Sequence, residues 1–156
     1  MKPSELLLAA SVPLVWGMGF TLAKAGMNEF PPLFLMGLRF SLASLVLVWF
    51  VTFPHGQLKQ IFWISFVGST LQYGLTFTGL SMIDASLAII IIHLEVPFAV
   101  LLAALFLKDK PGKQRILGIL ISFAGIMLIA GQPSLRGQML AMMLTASGAL
   151  MWAIGQ

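Results

Sequence analysis

Long apolar stretches separated by short polar joints are the feature that most constrains the fold of this 156-residue chain. Most stretches contain about 20 residues, which at about 1.5 Å per residue cross the ~30 Å hydrocarbon core of a bilayer. They run from Leu6 to Gly26, Pro32 to Phe53, Ile61 to Met82, Ala85 to Leu107, Ile116 to Gly131, and Gln138 to the C-terminus. The pattern predicts an all-α integral membrane protein with five complete transmembrane helices and a sixth.

The composition excludes most other classes of protein. Charged residues make up only 9% of the chain, against about 25% in a typical soluble domain, and hydrophobic residues make up 59%. The net charge of +4 does not come with a basic patch of interleaved aromatics, so we expect no nucleic-acid partner. No nucleotide-binding, zinc-protease or serine-nucleophile motif is present, and there is no cysteine. We therefore expect no enzyme activity, no catalytic residues, no metal site and no cofactor.

The joints between the apolar stretches predict the topology. They read MNEFPP, PHGQLK, MIDA, KDKPGKQR and QPSLRG, and none is long enough to hold a soluble catalytic domain. If the N-terminus is cytoplasmic, the inner side holds Lys2, Lys59, Lys108, Lys110, Lys113 and Arg115, and the outer side holds Lys24 and Arg136. Because cytoplasmic joints carry the excess of Lys and Arg, we predict a multi-pass protein of the inner (plasma) membrane with a cytoplasmic N-terminus.

A weak internal repeat connects the two ends of the chain. Shifting the sequence by 136 residues aligns Leu8 to Gly19 with Leu144 to Gly155, and six of the twelve positions are identical, including Trp16 with Trp152. Since five helices precede the second copy, that copy would be inverted in the membrane. We therefore expect residues 1–134 to form a first five-helix repeat and residues 135–156 to form the first helix of a second, truncated repeat.

Several segments resemble successive landmarks of one transporter family. They are LVWGMGFTLAK, PLFLMGLRFSLASLVL, GLSMIDASLAIIIIHLEVPFAVLLAALFLKDK and GILISFAGIMLIAG. In this order they are similar to an EamA-type member of the drug/metabolite transporter superfamily. The resemblance implies an inner-membrane carrier of ten helices, built from two inverted five-helix repeats, that usually exports amino acids, other metabolites or toxic compounds. One departure is the KDK after the fourth span, where the family often has Gly-Glu-Arg.

The fourth span carries an acid, a base and a helix breaker within five residues. An ionised Glu95 facing lipid would cost ~2.5–3.5 kcal/mol on insertion scales, so we expect it to face protein or water. A pathway role is favoured over a structural carboxyl bonded to a neighbouring helix. His93 lies roughly 200° away around a regular helix, and it is equally consistent with a packed histidine and a proton carrier. Pro97 deprives the His93 carbonyl of its usual helical partner, which either exposes that carbonyl to substrate or only bends the helix to fit the bundle.

The third span carries a polar stripe at helical spacing, which we expect to turn away from lipid. Its members are Ser65, Ser69, Gln72, Thr76 and Gly79. We assign Gln72, with neighbouring Tyr73 and Thr76, to the substrate pathway, and we assign the serines and Gly79 to close helix packing. In the fifth span, Gly118, Ser122 and Gly125 have the same spacing without a large polar group, which favours close packing there too.

Three further residues stand out in the first two spans. Trp16 lies well inside its span, where it either contacts substrate or fills the core. Trp152 occupies the equivalent position in the repeat, which predicts that Trp16 lies near a central cavity. Arg39 attracts an anionic substrate, pairs with Glu29 or Asp84, or extends to the lipid headgroups. Lys24 is expected to extend to lipid headgroups.

The combined prediction is a secondary transporter that works by alternating access between two inverted repeats. Its partners would be the lipid bilayer, a small-molecule substrate and protons, with Glu95 as the coupling group; the second repeat would come from the same chain or from a second copy. Since no nucleotide site is present, an ion gradient or the substrate's own gradient would drive transport. Two alternatives remain open: a five-helix half-carrier that dimerises, and a membrane scaffold subunit that transports nothing.

Overall fold

The computed structural model describes residues 3–51, 56–108, 110–132 and 137–156, so Lys2 and Arg136 of the predicted topology lie outside it. Within those ranges the chain is helical and has no strand. The α-helices are α1 (Pro3–Gly26), α2 (Pro32–Leu47), α3 (Leu58–Ser65), α4 (Gln72–Met82), α5 (Ala85–Ile92), α6 (Glu95–Phe106), α7 (Lys113–Ala130) and α8 (Met139–Gly155). A 3-10 turn (Val48–Phe50) follows α2, and a π-helical segment (Phe66–Leu71) joins α3 to α4. The fold is therefore all-α, as expected.

Four segments of the described chain are long and apolar enough to cross a membrane: Glu5–Gly26, Pro32–Phe50, Ala85–Phe106 and Lys113–Ala130. The helix Met139–Gly155 is also apolar but has only 17 residues. The third predicted span follows a continuous helical path through α3, the π-helical segment and α4. These segments support a multi-pass membrane protein, while the exact count of spans stays a prediction.

The fourth span consists of two helices, because α5 ends at Ile92 and α6 begins at Glu95. Pro97 lies in the first turn of α6, where its missing N–H is tolerated. The His93 carbonyl accepts a hydrogen bond from the Val96 N–H at 3.3 Å. This i→i+3 bond replaces the i→i+4 bond to residue 97 of a regular helix. Pro97 therefore does not leave that carbonyl free. The break instead puts the Glu95 carboxyl in the first turn of a helix, where the helix dipole favours negative charge.

The π-helical segment changes the phase of the third span. A stretch with i→i+5 hydrogen bonds accommodates an extra residue per turn, so residues before and after it no longer keep regular α-helical spacing. Ser65 and Ser69 accordingly border a small crevice beside Gly155. Gln72 instead borders a larger cavity. The five-residue stripe predicted from regular spacing is therefore divided into two parts.

The core of the described chain lies where α8 packs against α4, with α5, α6 and the π-helical segment alongside. Thr76 of α4 and Thr145 of α8 are both fully buried at this contact. Each threonine faces a glycine of the other helix: Thr76 faces Gly148, and Thr145 faces Gly79. Small residues allow helix backbones to approach closely in a membrane, so the packing role predicted for Gly79 agrees with this geometry.

The fifth span does not show the close packing predicted for it. No residue of α7 is buried, and no atom of the described chain lies within 4 Å of a Cβ position at Gly118 or Gly125. The Ser122 hydroxyl donates to the Gly118 carbonyl of its own helix at 2.9 Å. Gly118 and Gly125 therefore make no close helix contact within the ranges described, and Ser122 and Gly125 border a cavity that the fourth span also lines.

Candidate substrate cavity

A cavity of about 220 Å³ lies between α1, α2, α4, α8 and the break in the fourth span. It is lined by Val15, Trp16, Gly19, Phe20, Arg39, Gln72, Tyr73, Phe77, Ile92, Glu95 and Trp152. Four of the residues that the sequence assigned to a pathway thus line one cavity: Trp16, Gln72, Tyr73 and Glu95. Arg39, predicted separately to attract an anion or form a salt bridge, lines it too. The break between α5 and α6 brings Ile92 and Glu95 to this cavity.

Arg39 and Glu95 place two opposite charges on the same cavity. Neither has an opposite charge within 4.0 Å among the described residues, so Arg39 is not paired with Glu29 or Asp84 there. Charges inside spanning helices normally pair with one another or face water or substrate. The two charges are therefore available to a solute that carries both signs.

Gln72 lines the cavity and carries a buried hydrogen-bond acceptor without a partner among the described residues. Its side chain is only 7% exposed, and its Nε2 donates to the Thr76 hydroxyl at 3.3 Å. Its Oε1 has no hydrogen-bond partner in the described part of the chain. A buried acceptor without a partner costs about 1–3 kcal/mol, which a donor on a bound solute would recover.

An aromatic wall surrounds these polar groups. Tyr73 and Phe77 stack at 5.5 Å between ring centroids, and Phe77 stacks in turn on Phe20 of α1 at 5.6 Å. The ring of Phe40 in α2 contacts the Tyr73 ring edge-on, with 4.8 Å between the ring centroids, and this contact restrains the tyrosine. Contacts of this kind contribute about 0.5–1.5 kcal/mol each beyond area burial, so the wall is held in place by three helices.

The repeated tryptophans share this cavity. Trp16 of α1 and Trp152 of α8 both line it, although the two residues are far apart in the chain. Trp16 is 54% exposed, so much of its indole is free to contact a solute or lipid. The two tryptophans therefore lie on one cavity, while the internal repeat stays a prediction.

Three predicted pathway residues do not line the cavity. Thr76 is fully buried in the contact with α8, and Pro97 is buried within α6. His93 is exposed and borders a separate cavity of about 180 Å³ next to Ser122 and Gly125 of α7. Its Nδ1 lies 2.7 Å from the Ile89 carbonyl, which can only accept, so Nδ1 carries a proton. His93 and Glu95 thus line different cavities.

The expectation for Lys24 was wrong. Its Nζ donates to the carbonyls of Leu80 and Ser81, at 2.7 and 2.9 Å, rather than extending to the lipid headgroups. These carbonyls belong to the last turn of α4, whose C-terminal end attracts a cation. Lys24 therefore ties the end of α1 to the end of α4, beyond the aromatic wall.

Sequence reasoning missed Phe20 and Phe77, which lie in the cavity wall. A usable signal was present, because Trp16 and Phe20 are four residues apart, as are Tyr73 and Phe77. Residues at this spacing share one helix face, so each pair could have been recognised as a continuous aromatic surface.

The spanning helices and the cavity between them define a multi-pass membrane protein with a candidate solute site. A model of the EamA-like transporter family matches residues 3–131. The chain therefore belongs to the EamA-like transporter family, which confirms the resemblance found in its sequence.

Curated relatives come from bacteria and archaea. A "Probable amino-acid metabolite efflux pump" of Escherichia coli (strain K12) is 30% identical over 159 residues, which cover 99% of this chain and 53% of the relative. The "Uncharacterized transporter YvbV" of Bacillus subtilis (strain 168) is 30% identical over 166 residues, with the same two coverages. The chain spans about half the length of these relatives. No solved structure matches it.

Proposed function

We propose that this chain forms the substrate-binding half of a secondary exporter for small zwitterionic metabolites, with amino acids as the main class. The complete carrier contains two inverted five-helix repeats, with the second repeat supplied by the same chain or by a second copy. It lies in the inner membrane with the N-terminus in the cytoplasm, and it works by alternating access.

The observation that carries this proposal is that Arg39, Glu95 and Gln72 line one cavity. The Arg39 guanidinium suits a carboxylate, because it presents paired N–H donors that match two carboxylate oxygens. Glu95 and Gln72 supply acceptors for an ammonium group. A free amino acid carries both groups, so its charges are complementary to these residues.

The size and lining of the cavity favour a small solute. Its volume of about 220 Å³ is below the range of about 300–1,000 Å³ that is usual for drug-sized ligands. The faces of Trp16, Trp152 and Tyr73 suit an apolar side chain, and an ammonium near an indole face gains about 0.5–2 kcal/mol from cation–π attraction. The name of the Escherichia coli relative, an amino-acid metabolite efflux pump, supports the same substrate class.

Glu95 is the group proposed to couple transport to protons. Its carboxyl either holds a proton or, when ionised, attracts the ammonium of the substrate, so proton and substrate compete for one site. Competition of this kind links outward movement of substrate to inward movement of protons. No nucleotide motif is present in the sequence, which supports gradient-driven transport.

Amino-acid counterflow in proteoliposomes containing the full-length protein tests this function. We expect Arg39→Gln and Glu95→Gln each to raise the half-saturating concentration at least tenfold, because each variant loses one charged contact of about 1.4 kcal/mol or more. Lys59→Gln is the matched control, since Lys59 is an exposed residue of α3 outside the cavity. Counterflow that is equal in all three variants and the wild type would contradict the proposed site.

Access of water-soluble reagents to the cavity distinguishes a carrier from a scaffold subunit. Since these 156 residues contain no cysteine, a cysteine at Gln72 would be the only one within them. We expect a water-soluble thiol reagent to modify it, and a saturating amino acid to slow the reaction. A thiol that never reacts from either side of the membrane would favour a scaffold without a pathway.

A further inference from the structure

A second opening lies beside the substrate cavity, between α1 and α2. It is an almost wholly apolar groove of about 570 Å³. Its lining residues are Gly19, Leu22, Ala23, Leu35, Met36, Leu38, Arg39 and Leu42. The volume lies within the range of about 300–1,000 Å³ for small-molecule sites, whereas the substrate cavity falls below it. The groove is thus the roomier and the more apolar of the two spaces.

The groove and the substrate cavity meet at Gly19 and Arg39, which line both. No atom of the described chain lies within 4 Å of a Cβ position at Gly19, so no side chain closes the junction there. Arg39 is the one charged residue in the groove lining, and it has no ion-pair partner among the described residues. A cation at one end of an apolar groove is complementary to a molecule with an anionic head and an apolar chain.

We propose that this groove binds a long-chain carboxylate from the bilayer, with its carboxylate on Arg39 and its alkyl chain between α1 and α2. Arg39 is the seventh residue after Pro32, about 10 Å along α2, so the head group lies below the surface of the membrane. The apolar side chains of the groove then contact the alkyl chain. Because Arg39 also borders the substrate cavity, the carboxylate competes with a substrate anion for the same guanidinium.

This inference uses Arg39 in the role proposed above, but it concerns a different ligand and can be tested separately. The test uses the full-length protein in phosphatidylcholine nanodiscs, with a fluorescent label on a cysteine at Leu38 in the groove. The control label is placed at Leu45, an exposed residue of α2 outside the groove. Stearic acid with a nitroxide on its chain is then titrated, and quenching of each label is measured.

We expect quenching at Leu38 to saturate and quenching at Leu45 to rise linearly with the nitroxide content of the bilayer. Arg39→Gln should weaken the saturable phase at least tenfold, and Leu42→Trp should remove it by filling the groove. Leu45→Trp is the matched control for added bulk and should leave it unchanged. Phosphatidylcholine with the same nitroxide should give no saturable phase at either position, because it lacks the free carboxylate.

Three results would overturn the inference: equal, non-saturating quenching at both labels, a saturable phase that is unaffected by Arg39→Gln, or saturation with the zwitterionic lipid. Amino-acid counterflow in the same variants reports on the proposed function independently. If Leu42→Trp removes fatty-acid binding but counterflow persists, both proposals stand. If saturable quenching persists in a protein that shows no counterflow, only the proposed function fails.

Discussion

Gly148 of α8 lies directly against Thr76 of α4, and the two residues leave no room between them for a methyl group. A Cβ atom at Gly148 would be 3.0 Å from the Thr76 nitrogen and would overlap the Thr76 hydroxyl. The same relationship recurs in reverse, since a Cβ atom at Gly79 would overlap the Thr145 hydroxyl. Both helices thus present a Thr-x-x-Gly unit, and the two antiparallel units interlock.

Gly148→Ala should therefore destabilise the protein. Overpacking in a well-packed contact costs about 1–3 kcal/mol, and the displaced backbone includes the Gln72 carbonyl, also 3.0 Å from the added atom. The measurement is the thermal unfolding midpoint of the full-length protein in detergent. Gly118→Ala is the control, because nothing in the described chain lies within 4 Å of a Cβ there. Equal midpoints for the two variants would show that this contact accommodates an added methyl group without cost.

Much of the architecture could be predicted because lipid imposes strong rules on sequence. Apolar runs of spanning length located the helices, and polar or aromatic residues inside them, such as Trp16, Gln72 and Glu95, marked the cavity wall. These residues stood out because a polar group facing lipid is costly, so its presence in a span has few explanations.

The remaining features depend on contacts between distant segments, which periodicity does not report. The π-helical segment at Phe66–Leu71 changes the phase of a stripe that looked regular in sequence. Lys24 bonds to carbonyls that lie 56 and 57 residues further along the chain. The spacing of Gly118, Ser122 and Gly125 in α7 predicted close packing, but spacing alone does not report whether a neighbouring helix lies against them.

The Lys24 contact predicts a measurable change in the position of α1. Lys24→Met removes two charge-assisted hydrogen bonds to the end of α4, each worth about 1.5–3 kcal/mol when buried and less at this half-buried site. Double electron–electron resonance measures the distance between spin labels at Ala25 and Met82. We expect the distribution of this distance to be broader in Lys24→Met than in the wild type.

Two controls accompany that measurement. Lys24→Arg keeps a cation and its N–H donors, so it should preserve a narrow distribution. Lys59→Met removes an exposed cation from α3 and should have no effect. A distribution that stays as narrow in Lys24→Met as in the wild type would mean that other contacts hold α1 in place.

Gln72→Leu should move stability and binding in opposite directions. The substitution removes a buried oxygen that has no partner in the described chain, so the unfolding midpoint should stay level or rise. Loss of an acceptor for the substrate ammonium should weaken amino-acid binding about tenfold, equivalent to about 1.4 kcal/mol. Tryptophan fluorescence titration measures the second effect, since Trp16 and Trp152 share the cavity.

Thr78→Val is the matched control for Gln72→Leu. The Thr78 hydroxyl bonds only to the Gly74 carbonyl of its own helix, at 2.6 Å, and Thr78 does not line the cavity. Its binding constant should equal that of the wild type. If Gln72→Leu instead lowers the midpoint and leaves the affinity unchanged, the amide is structural and the free oxygen does not receive the substrate.

Glu95→Gln should separate proton coupling from substrate exchange. The amide keeps the size of the carboxyl but cannot take up a proton in exchange for substrate, so a pH gradient should no longer drive accumulation of amino acid in proteoliposomes. Exchange of labelled for unlabelled amino acid needs no proton movement and should continue, at a rate reduced by the weaker ammonium contact. Glu29→Gln, an exposed carboxyl outside the cavity, should behave as the wild type. If accumulation still follows the pH gradient in Glu95→Gln, a residue other than Glu95 couples transport to protons.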